Sequence, residues 1–142
     1  MARNLLAELQ LVSDQSPIHL QLGLVVKECA GDLALRASLD RRSANAADGA
    51  VAHGGILAVI LDAAATLALT AATGDDWTTV DLRVDYLRPV SIGAVEARGS
   101  VLHAGRTLGR AQGRVLDDQQ RVCATAIGTF RRGPTVLPVG GV

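Results

Sequence analysis

The stretch that most constrains this chain is Ile56 to Ala72, apolar except for Asp62, Thr66 and Thr70, with Asp62 its only ionisable side chain. Apolar residues on every side predict a helix buried all round, and a carboxylate in its middle then costs on the order of a few kcal/mol unless it is partnered. No Lys or Arg lies between His53 and Ala72, so the helix itself supplies no counter-ion. A function for Asp62 explains its place. The segment is Ala-rich, short for a bilayer span and charged near its centre, which favours a core helix over a membrane crossing.

The rest of the chain is organised around this helix, predicted from Gly54 to Thr73 and stopped by Gly74-Asp75-Asp76. Apolar spacing predicts an amphipathic helix at about 3–14, broken by Ser16-Pro17. Leu20 to Leu39 reads as two strands around Gly31-Asp32, and Arg41 to Ala50 as a loop. After the helix, Val80, Leu82, Val84 and Tyr86 alternate with Asp81, Arg83 and Asp85, a strand with one face inward. Pro89 interrupts it. Turns at Ala104-Gly105-Arg106 and Asp117-Asp118-Gln119 then divide three further strands ending near Arg132, and 133–142 reads as a loose tail. The order predicts one α+β domain over 1–142, with a core at about 20–132: an antiparallel sheet of about six strands wrapped around one long central helix. Its edge strands would be covered by continuing the sheet across a two-fold axis in a homodimer.

The chain has 142 residues, with fourteen basic side chains balancing fourteen acidic ones, which removes the electrostatic case for nucleic acid or an anionic membrane as main partner. Cys29 and Cys123 are too few for a disulfide framework and lack CxxC spacing, so both read as small core residues. No signal peptide is indicated, and the expected location is the cytoplasm. His19, His53 and His103 have no metal-ligand spacing, so neither metal nor cofactor is expected.

Gly54 and Gly55 open the helix where backbone N–H groups and the helix dipole favour a developing oxyanion. Asp62 is eight residues on, roughly 12 Å along the axis, so Gly54 and Asp62 of one helix cannot meet at one carbon. Two such helices packed antiparallel in a dimer would join Gly54 of one chain to Asp62 of the other. Thr66, one turn beyond Asp62, is a candidate for orienting water or satisfying the carboxylate, or else bonds the preceding turn's carbonyl. His53 is expected to fix the glycine turn through hydrogen bonds. His19 and His103 stand alone.

His53-Gly54-Gly55 with Asp62, followed by Thr79-Val80-Asp81-Leu82-Arg83-Val84-Asp85-Tyr86-Leu87-Arg88-Pro89, resembles the PaaI-like hotdog-fold acyl-CoA thioesterases over about residues 20–132. The resemblance implies hydrolysis of an acyl-CoA. In it Gly54 N–H polarises the thioester carbonyl, Asp62 is nucleophile or general base, and Thr79 places water; Gly55 N–H is the candidate second donor. It also implies a dimer of dimers with CoA at a subunit interface. The family commonly has Asn or Gln six residues before the His; that position is Ala47 here, and Asn45 is the nearest replacement for a substrate contact. Arg88, Arg106, Arg131 and Arg132 are candidates for the CoA phosphates, with Arg88 and Arg131 carried forward, whereas Arg110 and Arg114 read as the outer face of a strand. Two other functions fit the fold: acyl-CoA binding without catalysis, and an enoyl-thioester hydratase or dehydratase, whose distinctive His and acid motif is absent.

Overall fold

The computed structural model describes residues 4–28 and 32–138, so Cys29 and the first residue of the expected Gly31-Asp32 turn lie outside the described residues. Helix α1 (Leu5–Asp14) is capped by Asn4, whose side-chain oxygen accepts Ala7 N–H at 3.2 Å. Pro17 does more than end it. A proline's fixed φ and missing N–H suit the first turn of a helix, and Pro17 opens a second short helix, α2 (Pro17–Gln21). The strand expected from Leu20 is therefore displaced to β1 (Val25–Glu28), which pairs with β2 (Leu33–Leu39).

The long helix α3 has the expected bounds, Gly54–Thr73, and ends on Gly74 in the left-handed region at φ 81°. It is followed by β3 (Asp75–Tyr86), β4 (Gly93–Ala104), β5 (Leu108–Leu116) and β6 (Val122–Thr135). The six strands form one antiparallel sheet in the order β1-β2-β4-β5-β6-β3, with α3 packed on it, the architecture the resemblance implies. Contact between helix and sheet is close because small residues lie beneath it. A Cβ on Gly99 of β4 would sit 2.0 Å from the carbonyl oxygen of Ala64, so only glycine lets the helix backbone lie there.

Three expectations need correction. First, α3 is not buried on every side: Ala58, Val59, Asp62 and Thr66 are only partly covered. Second, the tail is not loose as far as it is described. β6 runs to Thr135, and Leu137, 2% exposed, is held by its N–H on the Gly74 carbonyl, beneath the end of α3. Third, the alternation in β3 is broken. Thr79 pairs with Phe130 but Asp81 with the adjacent Thr129, leaving Val80 as an extra, bulged residue, 61% exposed. A bulge shifts the period by one, so Trp77 and Thr79 face the helix with Leu82 where strict alternation would have placed Thr78 and Val80.

The two sheet edges differ. Along β1, the Gln10 side chain of α1 donates to Leu24 C=O at 3.0 Å and accepts Val26 N–H at 2.8 Å, so its amide pairs with the outward backbone as a neighbouring strand would. β3 at the other edge has no such cover among the described residues and exposes Val80, Tyr86 and, just beyond its end, Leu87.

Candidate active site

Both peptides at the start of α3 are held rigidly. His53 is the N-cap, with φ −64° and ψ 135°, and its Nδ1 accepts the Gly55 N–H at 2.9 Å. The accepting role requires that Nδ1 carry no proton. The Gly54 carbonyl, on the same peptide as the Gly55 N–H, accepts the Tyr86 hydroxyl at 2.7 Å. The preceding carbonyl, that of His53, accepts Ile56 N–H and Leu57 N–H at 3.0 and 3.3 Å. Among the described residues this leaves the Gly54 N–H without a protein acceptor, fixed in direction by its neighbours. Gly55 is thereby corrected: its N–H is occupied by His53 and is not a second oxyanion donor. Gly54 lines a depression of about 250 Å³ with Ala52, Leu57, Tyr86, Arg88 and Val90. A Cβ on Gly54 would stand 3.3 Å from the Tyr86 ring, so glycine lets the tyrosine close over this turn.

Asp62 opens into a different pocket, of about 430 Å³, shared with Thr66, Thr79, Trp77, Ser13 and His19. Its Oδ1 accepts the Thr79 hydroxyl at 2.6 Å, a short charge-assisted bond that exists because the Val80 bulge turns Thr79 toward the helix. Oδ2 has no protein donor among the described residues and is free for water or substrate. Thr66 does not touch the carboxylate. Its hydroxyl donates to the carbonyls of Asp62 at 2.8 Å and Ala63 at 3.2 Å, the ordinary back-bonding of a helical threonine.

The remaining candidates divide. Arg88 reaches back to the Val122 carbonyl at 3.0 Å and lies at the rim of the Gly54 depression. Arg131 is exposed on β6, and Asn45 is exposed with its backbone N–H on Val51 C=O, outside both pockets. Arg132 is withdrawn from the phosphate candidates: it donates to Asp75 at 2.6 Å and to the Gly105 carbonyl, and lies over the Trp77 ring at 5.4 Å. Arg114 pairs with Asp32 at 3.4 Å and Arg110 is exposed, both on the outer face of β5.

Cys123 is fully buried, and burial, with the nearby Asp117, pushes its thiol up, so it stays protonated and inert. His19 does not stand alone, as its sequence position suggested. It lies in the Asp62 pocket, where burial holds its imidazole below the usual 6.5 against the opposing Ser13 hydrogen bond and Asp62 charge. No local motif marks this, since His19 and Asp62 are far apart in sequence. Among the described residues no three His, Cys, Asp or Glu side chains gather to hold a metal.

The sequence pattern of the Thioesterase superfamily matches residues 49–124, more than half of the chain, spanning Gly54, Asp62 and Thr79. The medium/long-chain acyl-CoA thioesterase YigI of Escherichia coli is 33% identical over 98 residues, 58% of this chain and 63% of that protein. The solved structure of a thioesterase-superfamily protein superposes with a TM-score of 0.85 at 30% identity, over 91% of this chain and 98% of that one. The PaaI protein from the phenylacetic acid degradation operon of E. coli shares the fold, with a TM-score of 0.79 at 21% identity over 93% and 99% of the two chains.

Proposed function

Since the chain belongs to the thioesterase superfamily and is a thioester hydrolase, we propose that it cleaves acyl-CoA to the free acid and CoA at a site shared between two subunits. The observation that carries this reading is a pair of groups on α3 that have no partner among the described residues: the Gly54 N–H and Asp62 Oδ2 are the free ends of two hydrogen-bond networks, and they open into separate pockets. The thioester carbonyl must have its oxygen within hydrogen-bond reach of the donor and its carbon within reach of Asp62, directly or through one water. Two turns of one helix hold them roughly 12 Å apart, so Asp62 of the partner subunit, not that of the same chain, faces Gly54. The uncovered β3 edge, with Val80, Tyr86 and Leu87 exposed, supports a two-fold dimer that continues the sheet there and covers the open face of α3. Pairing of such dimers into a tetramer, in the cytoplasm, completes the reading.

In the reaction the thioester oxygen accepts the Gly54 N–H, a donor of a kind worth about 2.7–4 kcal/mol in the transition state. Asp62, oriented by Thr79, takes a proton from water while the water oxygen bonds to the carbonyl carbon. Collapse breaks the C–S bond, and the leaving CoA thiolate takes the proton that Asp62 removed from water, which restores the carboxylate. Attack by the carboxylate itself, giving an anhydride that water then opens, uses the same atoms. Single-turnover hydrolysis in heavy-oxygen water separates the routes, because label enters Asp62 only in the second. His53 holds the turn, Arg88 at the rim meets a CoA phosphate, and Asn45 and Arg131 are the outlying substrate contacts.

Thiol release from short, medium, long and aryl acyl-CoA substrates tests the reading, with wild type beside Asp62→Asn. Loss of general-base catalysis lowers kcat by about 10²–10⁴-fold. An Asp62→Asn protein that turns over normally removes Asp62 from the mechanism, and a wild type that binds every acyl-CoA and cleaves none overturns the reading.

A further inference from the structure

The pocket beside Asp62 contains a side chain that the hydrolysis scheme leaves unused. His19, on α2, is partly buried and lines this pocket together with Asp62, Thr66 and Thr79. Its Nδ1 lies 3.1 Å from the Ser13 hydroxyl, and Ser13 is 1% exposed. A buried hydroxyl with that one side-chain partner fixes the rotation of the ring and leaves Nε2 as the nitrogen available to the pocket. The charged groups around the pocket are few. Asp62 comes from α3 and Asp76 from β3, the lining residues of α1 are Val12 and Ser13, and no Lys or Arg lines the cavity. His19 is therefore the one described lining residue able to bring positive charge to Asp62.

We propose that His19 is a positioning residue for Asp62: anchored on Ser13, its neutral ring borders the carboxylate and holds the water that Asp62 activates, and its protonation pairs with Asp62 and stops turnover. This rests on the acyl-CoA hydrolysis reading. No covalent step is added; the only proton involved resides on the His19 ring. Burial disfavours the imidazolium and keeps the ring below its ordinary 6.5, so it is neutral at pH 7. Turnover then falls as pH drops through the His19 value, where the imidazolium and the Asp62 carboxylate neutralise each other.

The test reads the ring and the turnover separately. Histidine ring signals are followed by NMR against pH in wild type and Asp62→Asn, with the His19 signal assigned by its loss in His19→Gln. The His19 midpoint is expected at lower pH in Asp62→Asn, where the attraction favouring the imidazolium is gone. In His19→Gln, kcat falls, KM for acyl-CoA holds, and the acid limb of kcat moves to lower pH. Ser13→Ala, which frees the ring, gives a smaller loss of kcat. The proposal is overturned by a His19 midpoint that is the same with Asp62 or Asn, or by a His19→Gln pH profile that superimposes on the wild type. A wild type that cleaves no acyl-CoA means that the hydrolysis reading itself has failed, and turnover kept in Asp62→Asn removes Asp62 from the mechanism; both results are distinct from these.

Discussion

Taking one oxygen from Tyr86 measures how far the glycine turn depends on being held. The phenol donates to the Gly54 carbonyl at 2.7 Å, and with the His53 bond to Gly55 it fixes the peptide that follows the Gly54 N–H. A hydrogen bond of this kind contributes about 0.5–1.5 kcal/mol net to stability, so Tyr86→Phe is expected to lower the unfolding midpoint correspondingly and, by loosening the donor, kcat by about two- to tenfold, with KM little changed. Steady-state kinetics on the two proteins checks it. Sequence reading placed Tyr86 in the family motif and on the inward face of its strand, whereas it is exposed in the structure. Its bond to a residue 32 positions earlier depends on where β3 ends relative to α3, which no local pattern encodes.

Helix and sheet are matched at the level of elements by residues with little or no side chain. A Cβ at Gly99 would meet the Ala64 carbonyl at 2.0 Å, and this obstacle is backbone that cannot swing aside. Gly99→Ala is expected to cost about 1–3 kcal/mol or more of stability, read as a lower urea midpoint, and to reduce activity by displacing the turns that bear Asp62. The start of β3 is tied to the end of β6 by Asp75, which accepts from Arg132 at 2.6 Å and from Thr135 at 2.8 Å. These bonds, that from Arg132 foremost, hold the Asp75 carboxyl below its ordinary 3.8. A carboxylate with a depressed folded value stabilises fully above its unfolded value, and that contribution is lost as pH falls through the folded one. Asp75→Asn should therefore lower stability near neutral pH yet flatten its fall below about pH 4, as unfolding midpoints measured across that range would show.

For the whole molecule, the proposed sharing of the site between subunits makes a demand that one chain cannot satisfy. Gly54→Pro removes the N–H donor and, since its ring would press on Tyr86, also moves that side chain, while the backbone of the first turn is kept because proline suits that position and His53 already has the extended ψ a proline requires of its predecessor. Gly54→Pro and Asp62→Asn are each expected to be inactive. Unfolded together and refolded as a mixture, they form mixed dimers in which one site pairs a normal Gly54 with a normal Asp62, restoring about a quarter of the wild-type sites. Sedimentation establishes that dimers have formed, and thiol release shows whether activity returns. A site built within one chain gives no recovery on mixing.

The bounds of the central helix, to the residue, and the antiparallel sheet packed against it were legible in the chain alone. These are written locally, in apolar periodicity, glycine at helix ends and turn residues between strands, and local rules act over a few residues. Tertiary structure decided the rest. The bulge at Val80 brings Thr79 onto Asp62, since register is set by pairing with β6 and not by the composition of β3. Packing of α1 and α2 brings Ser13 and His19 into the Asp62 pocket, and the His53 cap removes Gly55 from the candidate donors. Each of these depends on distances between segments far apart in the chain, and those distances exist only once the helix has been laid on the sheet.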